Sequence, residues 1–303
     1  MNNYFESAVS KQPTSLSIMV DILGLLILLG LLGAGFWHLL ESVTDISPWL
    51  FGLLCIGGFV GFSLVGLLVV HRQVYQRLTV GVTLIDNGVV GWFFSGMLVI
   101  YGITLGLIVV ATWQSSSQVS EIVSKEAAGI AAIYRDITGY PSPAREALDK
   151  QIFNYTAFIV EKEWPAQRRG EILDGGTRML NDFQRNLYRF EPKTESQKML
   201  HAEALSMFNR MVEYRRMRIE TVHWGAPPIL WAVVLVGGVL CINFSYCFHL
   251  EDVRLHALLT GGLATMIGLL IFLTAALDRP YHGAVSVPSD AYQLIINKVM
   301  TVE

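Results

Sequence analysis

Five long apolar runs and one polar stretch divide this chain of 303 residues. The runs cover about residues 17–40, 49–70, 89–113, 225–248 and 255–277. Each is long enough to cross a hydrocarbon core of about 30 Å as an α-helix. Tryptophan residues lie near the ends of several runs, where their amphipathic rings favour the membrane interface. The pattern therefore predicts an integral membrane protein with about five spans.

The polar stretch between the third and fourth runs, residues 114–223, predicts a water-soluble module. It holds 16 of the 22 Lys and Arg residues and 15 of the 25 Asp and Glu residues. The helical period of apolar positions continues from the third run into this stretch and is first broken at Thr138-Gly139. We therefore expect one helix of about 48 residues that runs from the bilayer into water.

Three further helices are indicated inside the module. The first opens at Ser142-Pro143 and should end at Trp164-Pro165. The last opens at Thr194-Glu195-Ser196-Gln197, which has the form of a capping box. The middle helix carries on one face Met179, Leu180, Phe183 and Leu187. No strand pattern is found, so we predict an all-α polytopic bundle with an inserted helical module, divided into residues 1–113, 114–223 and 224–303.

Composition narrows the function classes. The chain has 52% hydrophobic and 16% charged residues, less charge than a soluble domain carries. Its net charge of -3 gives no basic excess for binding nucleic acid. The three cysteines lie in or at the ends of apolar runs, without metal-ligand spacing. No phosphate-binding loop, nucleophile elbow or zinc-protease motif occurs, so we expect neither an enzyme nor a bound cofactor or metal.

Basic residues near the ends of the runs set the expected orientation. They are somewhat more numerous on the side of the module, and the positive-inside rule therefore favours a cytoplasmic module. Arg215, Arg216 and Arg218 lie shortly before the fourth span. There they are expected either to contact anionic lipid headgroups or to raise the local anion concentration at a pore mouth.

A narrow stripe of small and polar residues follows the third span into the module. Its members recur at three-, four- or seven-residue steps and include Ser95, Gly102, Gly106, Trp113 and Ser117. A ring of such helices would enclose a water-filled path, with Phe93 or Phe94 as an apolar constriction. Close packing of the stripe against the other spans is the alternative.

Two acidic residues fall at apolar positions. Glu126 lies on the apolar stripe of the long helix, so its carboxylate must be paired, protonated or in contact with water. Pairing with Arg215 or Arg218 is one interpretation, and a pore-lining carboxylate is the other. Asp278 ends the fifth span and is a functional candidate, although the adjacent Arg279 or water at the helix end would also satisfy it.

An ordered set of motifs extends from about residue 70 to the C-terminus. In chain order it comprises Trp113, Glu126-Ala127-Ala128-Gly129-Ile130, Tyr134-Arg135, Tyr155, Glu163-Trp164-Pro165, Arg215 to Arg218, Pro228 with Trp231, and Asp278-x-Pro280-Tyr281-x-Gly283. This set resembles the bestrophin-like membrane proteins, a bacterial family of unknown function. The resemblance implies kinship with bestrophins, which are oligomeric anion channels with pore-lining helices that extend into the cytosol. No run of acidic residues matches the calcium-binding clasp of bestrophins.

Two function classes remain after these observations. The first is a homo-oligomeric passive channel for small inorganic anions such as chloride, lined by the long third-span helix. The second is a membrane-anchored scaffold or sensor whose module binds a protein partner without conducting ions. Both have membrane lipid as a partner, and the resemblance implies a bacterial inner membrane. A secondary transporter is disfavoured because no duplicated halves with paired broken helices are found.

Overall fold

The computed structural model describes residues 47–71, 86–282 and 285–300, and within these ranges every regular element is helical. The helices are α1 (Pro48–Val70), α2 (Asn87–Ile137), α3 (Ala144–Phe158), α4 (Gly175–Arg189), α5 (Glu195–Glu220), α6 (Pro228–Ser245), α7 (Val253–Asp278) and α8 (Asp290–Ile295). The all-α prediction is therefore confirmed for the described part of the chain. The first predicted span, residues 17–40, lies outside the described residues.

Four of the described helices, α1, α2, α6 and α7, are long and apolar enough to cross a membrane by length and composition. They coincide with four of the predicted spans. Their apolar content follows from runs of Leu, Val, Ile and Phe that a soluble helix would confine to one face. The protein is an integral membrane protein, and the total of five spans stays a prediction.

Helix α2 is continuous for 51 residues, from Asn87 to Ile137. At 1.5 Å per residue it is about 77 Å long, more than twice the thickness of a hydrocarbon core. No proline interrupts it, and the chain turns only at Thr138 and Gly139, whose amides bond back to Arg135 and Asp136. The prediction of one long helix is confirmed.

The helical stretch that begins with α3 does not end at Trp164-Pro165, where the sequence predicted its end. The chain continues from α3 through a π-helical turn, Ile159–Glu163, and a short α-helical segment, Trp164–Gln167. In the wider turn the amide of Trp164 bonds to the carbonyl of Ile159, five residues back. Pro165 then occupies the first turn of the next segment, where a missing amide hydrogen costs little. The predicted end at Trp164-Pro165 was therefore wrong by a few residues.

The helix start predicted at Thr194 is confirmed, and the capping box forms in part, because Gln197 accepts from the amide of Lys193 and not from that of Thr194. The amide of Gln197 donates to Thr194 Oγ1 at 3.2 Å, and Gln197 Oε1 accepts from the amide of Lys193 at 2.8 Å. One amide of the first helical turn and one amide just before the helix are thus satisfied by side chains. Helix α5 continues to Glu220 and is followed by one 3₁₀ turn, Thr221–His223.

The chain separates into two compact units. The first comprises residues 1–109 and 226–275, and its described helices are α1, the first part of α2, α6 and most of α7. Helix α2 packs here through a narrow face: Tyr101 Oη donates to the carbonyl of Val234 at 3.0 Å, and Leu105 is fully buried. Tyr246 Oη donates to the carbonyl of Ser63 at 2.9 Å, which joins α1 to the end of α6.

The second unit comprises residues 110–225 and 276–303. Its core is formed by apolar residues of α2, α3, α4 and α5 together with the C-terminal residues Tyr281, Val287, Tyr292, Ile295 and Met300. The C-terminal segment, which follows the last apolar helix, therefore packs with the polar module. The division into residues 1–113, 114–223 and 224–303 stays a prediction.

Candidate functional site: a buried glutamate–arginine quartet

Four charged side chains meet in the interior of the second unit. They are Glu126 of α2, Glu163 of the π-helical turn, and Arg215 and Arg218 of α5, and all are at most 3% exposed. Charged residues are almost never fully buried unless they are paired. We call these four residues the quartet.

Arg215 and Glu163 form a bidentate ion pair. Arg215 Nη1 donates to Glu163 Oε2 and Nη2 donates to Oε1, both at 2.9 Å. The planar guanidinium matches the geometry of a carboxylate in this arrangement, which makes such pairs stronger than single hydrogen bonds. Helix α5 is thereby fixed to the π-helical turn.

Arg218 joins the two glutamates. Its Nε donates to Glu126 Oε2 at 2.5 Å, and its Nη2 donates to Glu126 Oε1 at 3.2 Å and to Glu163 Oε2 at 2.9 Å. The expectation that Glu126 pairs with Arg215 or Arg218 is confirmed for Arg218. Since Glu126 is 0% exposed, it does not line a water-filled path in this structure.

Two tyrosines complete the shell of Glu126. Tyr155 Oη donates to Glu126 Oε1 at 3.0 Å and accepts from Arg215 Nη1 at 3.2 Å. Tyr292 Oη donates to Glu126 Oε2 at 3.0 Å. The Arg218 guanidinium also lies 6.0 Å from the ring centre of Trp164 and 5.9 Å from that of Tyr292, within the range of cation–π attraction.

The quartet holds two negative and two positive charges, so its net charge is zero. Burial by itself raises the pKa of Glu163, but the hydrogen bonds and charges of Arg215 and Arg218 outweigh burial and hold that pKa below its usual range. Burial opposes the charge on Arg218, yet Glu126 keeps the pKa of Arg218 well above its usual value. Glu163 and the two arginines are therefore charged at neutral pH.

A glycine allows the pair of Arg215 and Glu163 to form. A Cβ atom at Gly176, near the start of α4, would overlap Glu163 Oε1 and would lie 2.6 Å from Arg215 Nη2. Only a residue without a side chain lets α4 lie this close to the ion pair. The close approach also excludes water from the pair, which strengthens the attraction between its charges.

The arginines do not occupy the positions that the sequence suggested. Arg215 and Arg218 are buried and paired, so they are not available to lipid headgroups or to anions in solution. Only Arg216 is exposed, and it donates to Glu220 at 3.0 Å. The surface role expected for Arg215 and Arg218 therefore does not match their burial, because their charges are compensated inside the module.

The stripe predicted to line a pore lies mostly on open faces of α2. Ser95, Gly102 and Ser117 are exposed, as are Phe93 at 70% and Trp113 at 59%. No described atom lies within 4 Å of a Cβ built at Gly102 or Gly106. Phe94 differs, since its ring packs edge-to-face on Phe248 at 5.4 Å. Packing within the described part of the chain thus does not account for the stripe.

Three further motif residues, Trp164, Tyr134 and Asp278, are buried in the same unit as the quartet. Trp164 packs edge-on against Tyr281 and Tyr292, with ring centres 5.6 Å apart in both pairs. Tyr134 is buried in the core of this unit. Asp278 is 9% exposed, and its Oδ2 would lie 3.6 Å from a Cβ at Gly225.

Sequence reasoning identified the glutamates and arginines but missed some of their partners. Tyr155 was noted as a member of the motif set, without a role, and Tyr292 was not singled out at all. Their common signal is a hydroxyl on a residue that otherwise occupies a core position, since a buried carboxylate needs donors. Among the described residues no group of three or more His, Cys, Asp or Glu could hold a metal ion.

Comparisons with known proteins agree with the motifs. The model of the bestrophin-like domain matches residues 57–292. The fold is similar to a mutant of a bacterial bestrophin homolog from Klebsiella pneumoniae, with a TM-score of 0.62 and 11% identity over 82% of this chain and 99% of that chain. A second mutant described in the same words matches with a TM-score of 0.61 and 11% identity over 82% and 97% of the two chains.

A crystal structure described only as a membrane protein also matches, with a TM-score of 0.60 and 12% identity over 83% of this chain and 99% of that chain. No curated protein matches this chain. At such low identities the structural matches show a shared fold and nothing finer. The domain match itself spans most of the chain, from the second predicted span to the C-terminal helix. The chain therefore belongs to the bestrophin-like family.

Proposed function

We propose that this protein is a homo-oligomeric, passive channel for small inorganic anions such as chloride, with α2 lining the path. The observation that carries the proposal is the exposure of α2. Only 6% of its most apolar 18-residue window is buried within the chain. The corresponding windows of α1, α6 and α7 are 28%, 39% and 33% buried. A helix so little covered by the described part of the chain is open to lipid, to other copies or to residues outside the described ranges.

The kinds of residue on α2 favour other copies over lipid along one face. Successive residues of an α-helix are separated by about 100°, so Ser95 and Gly106 lie within about 40° of Gly102 around the axis. This face presents two glycines and a hydroxyl, whereas lipid favours large apolar side chains. Small residues at this spacing suit a path surrounded by equivalent helices.

A helix that lines a path must be held in place, and the quartet anchors α2 near its C-terminal end. It fixes α2 to α5 and to the π-helical turn through ion pairs that lie in the module. Because its net charge is zero, it does so without placing an unbalanced charge beside the helix. The family resemblance supports the same conclusion, since bestrophins are oligomeric anion channels whose pore-lining helices extend beyond the membrane.

The test is chloride efflux from liposomes that contain the purified protein. Gly102→Leu should abolish efflux because it places a bulky side chain on the proposed lining face. Gly96→Leu is the matched control. It makes the same change on the same helix at another exposed glycine with no described atom within 4 Å of its Cβ, but about 120° away around the axis.

Loss of efflux in Gly102→Leu alone, with the oligomer still assembled, would support the channel and its lining. Equal efflux from both variants would refute the assignment of the lining. No efflux from an intact wild-type oligomer under varied pH, calcium and voltage would refute conduction. That last result would favour the scaffold, for which a groove of about 430 Å³ between α4 and α5 is the specific observation.

A further inference from the structure

Basic side chains converge at the end of the second unit where the chain enters α6 and leaves α7. They belong to three segments: residues 168–170, which end the helical segment after α3; residues 223–225, which precede α6; and residues 278–282, which follow α7. The basic residues are Arg168, His223, Arg279 and His282, and we call them the basic cluster. None of them belongs to the quartet.

Two close approaches show that the three segments are neighbours. A Cβ built at Gly170 would lie 3.8 Å from His282 Nε2, and one at Gly225 would lie 3.6 Å from Asp278 Oδ2. Gly170 has a φ of 75°, and the amides of Gly170 and Glu171 bond to the carbonyls of Gln167 and Ala166 at 2.9 Å each. This helix-ending motif requires a residue that adopts positive φ, and it fixes the turn that carries Arg168.

The charges of the basic cluster are not neutralised by ion pairs. Within residues 86–282 and 285–300 neither Arg168 nor Arg279 forms a salt bridge, whereas the neighbouring Arg169 pairs with Glu171 at 3.0 Å. Asp278 supplies one negative charge nearby, which leaves a positive balance against the two arginines. Burial lowers the pKa of His282, and the positive charges of Arg279, Arg168 and His223 lower it further. Nearby positive charges make protonation of His282 less favourable, so the lowered pKa is consistent with several positive side chains lying close together.

The position of the basic cluster beside two apolar helices indicates which kind of anion it binds. His223 lies five residues before the start of α6, and Arg279 follows the last residue of α7, so both flank helices that are long and apolar enough to span a membrane. Trp224, 37% exposed, is the kind of residue that sits at the level of lipid headgroups. Arg168 and His223 are exposed and Arg279 is half-buried, so the side chains of both arginines and of His223 reach the surface.

We propose that the basic cluster binds the phosphate group of an anionic membrane lipid. Two guanidinium groups donate to phosphate oxygens in the fork geometry that arginine favours, and the two imidazoles add further donors. The proposal does not depend on ion conduction, since a scaffold anchored in the same membrane would meet the same lipids. It also replaces the lipid contacts first expected of Arg215 and Arg218, which the quartet buries.

The test is native mass spectrometry of the purified protein in neutral detergent, with phosphatidylglycerol or phosphatidylcholine added. Wild type should retain phosphatidylglycerol preferentially. The double variant Arg168→Gln/Arg279→Gln should bind it about 25-fold more weakly, since each basic residue near an anionic surface contributes about fivefold. The matched control Arg178→Gln/Arg189→Gln removes the same charge from two exposed arginines of α4 and should bind like wild type.

Several results would overturn the proposal. Equal phosphatidylglycerol binding by the double variant and wild type would do so, as would an equal loss in the control variant. Binding of inorganic phosphate is measured as well. If phosphate binds as tightly as the lipid does, the site binds a free anion and the lipid assignment is wrong. Should the double variant fail to fold, Arg168→Gln alone, on an exposed turn, should still lose about fivefold in lipid binding.

Discussion

Removing the charge of Glu126 tests whether the quartet holds the second unit together. Glu126 accepts hydrogen bonds from Tyr155, from Tyr292 and twice from Arg218. In Glu126→Gln one carboxylate oxygen becomes an amide that donates, so a donor faces a donor in a buried site. The quartet also acquires a net positive charge. Breaking a buried ion pair by removing one partner costs about 3–5 kcal/mol.

The assay is thermal unfolding of the purified protein in detergent, followed by the fluorescence of its tryptophans. A loss of this size should lower the unfolding midpoint by on the order of 10 °C for a unit of this length. Glu121→Gln is the matched control, because it makes the same change on the same helix at an exposed residue. Its surface pair with Lys125 is of a kind that contributes little, so its midpoint should stay close to that of wild type.

A second variant separates lost charge balance from lost contacts. Glu126→Gln/Arg218→Met removes both charges of one pair and leaves the bidentate pair of Arg215 and Glu163 intact. It should be less destabilised than the sum of the two single variants, by about 0.5–3 kcal/mol. If Glu126→Gln unfolded at the same temperature as Glu121→Gln, or if the double variant were simply additive, the account of the quartet as a charge-balanced anchor would be refuted.

Two further predictions follow from the same unit. Gly176→Ala should destabilise it by about 1–3 kcal/mol in thermal unfolding, because the added methyl overlaps the pair of Glu163 and Arg215; Gly96→Ala, which meets open space, should cause no loss, and equal midpoints for the two would contradict the close approach. Burial raises the pKa of Tyr281 to about 12, so this residue binds more protons in the folded state than in the unfolded state between pH 10 and 12. Stability should therefore be complete below pH about 10 and fall as the pH rises through this window. Tyr281→Phe should reduce that loss, to which the raised pKa of Tyr140 also contributes, and the exposed Tyr188→Phe should not; the reverse pattern would refute the assignment to Tyr281.

Much of the fold could be predicted because it depends on local pattern. The apolar run and uninterrupted period of α2 predicted a helix of nearly the observed length. The side chains of Thr194 and Gln197 marked the start of α5, since a capping box is a contact between near neighbours in the chain. The end of α3 was harder to locate, because a π-helical turn depends on what the widened turn packs against and leaves no local signal.

For a related reason, the members of the quartet could be predicted from the sequence but their pairing could not. Continuing the stripe of α3 from Tyr155 through Ile159 by four residues places Glu163 on the buried face, so its burial could have been found from spacing. The pairing of each arginine with its glutamate could not be found from the sequence. Arg215 and Arg218 are close in sequence, and the packing of α5 decides which glutamate each one contacts. Tyr292 comes from a segment 166 residues away from Glu126, and such contacts are set by tertiary structure alone.

The unbroken helix α2 has residues in both compact units. Glu126 and Gly102 are 24 residues apart on it, or about 36 Å along the axis. If α2 lines the proposed path, the quartet and the lining face belong to one helix whose backbone has no turn or proline between them.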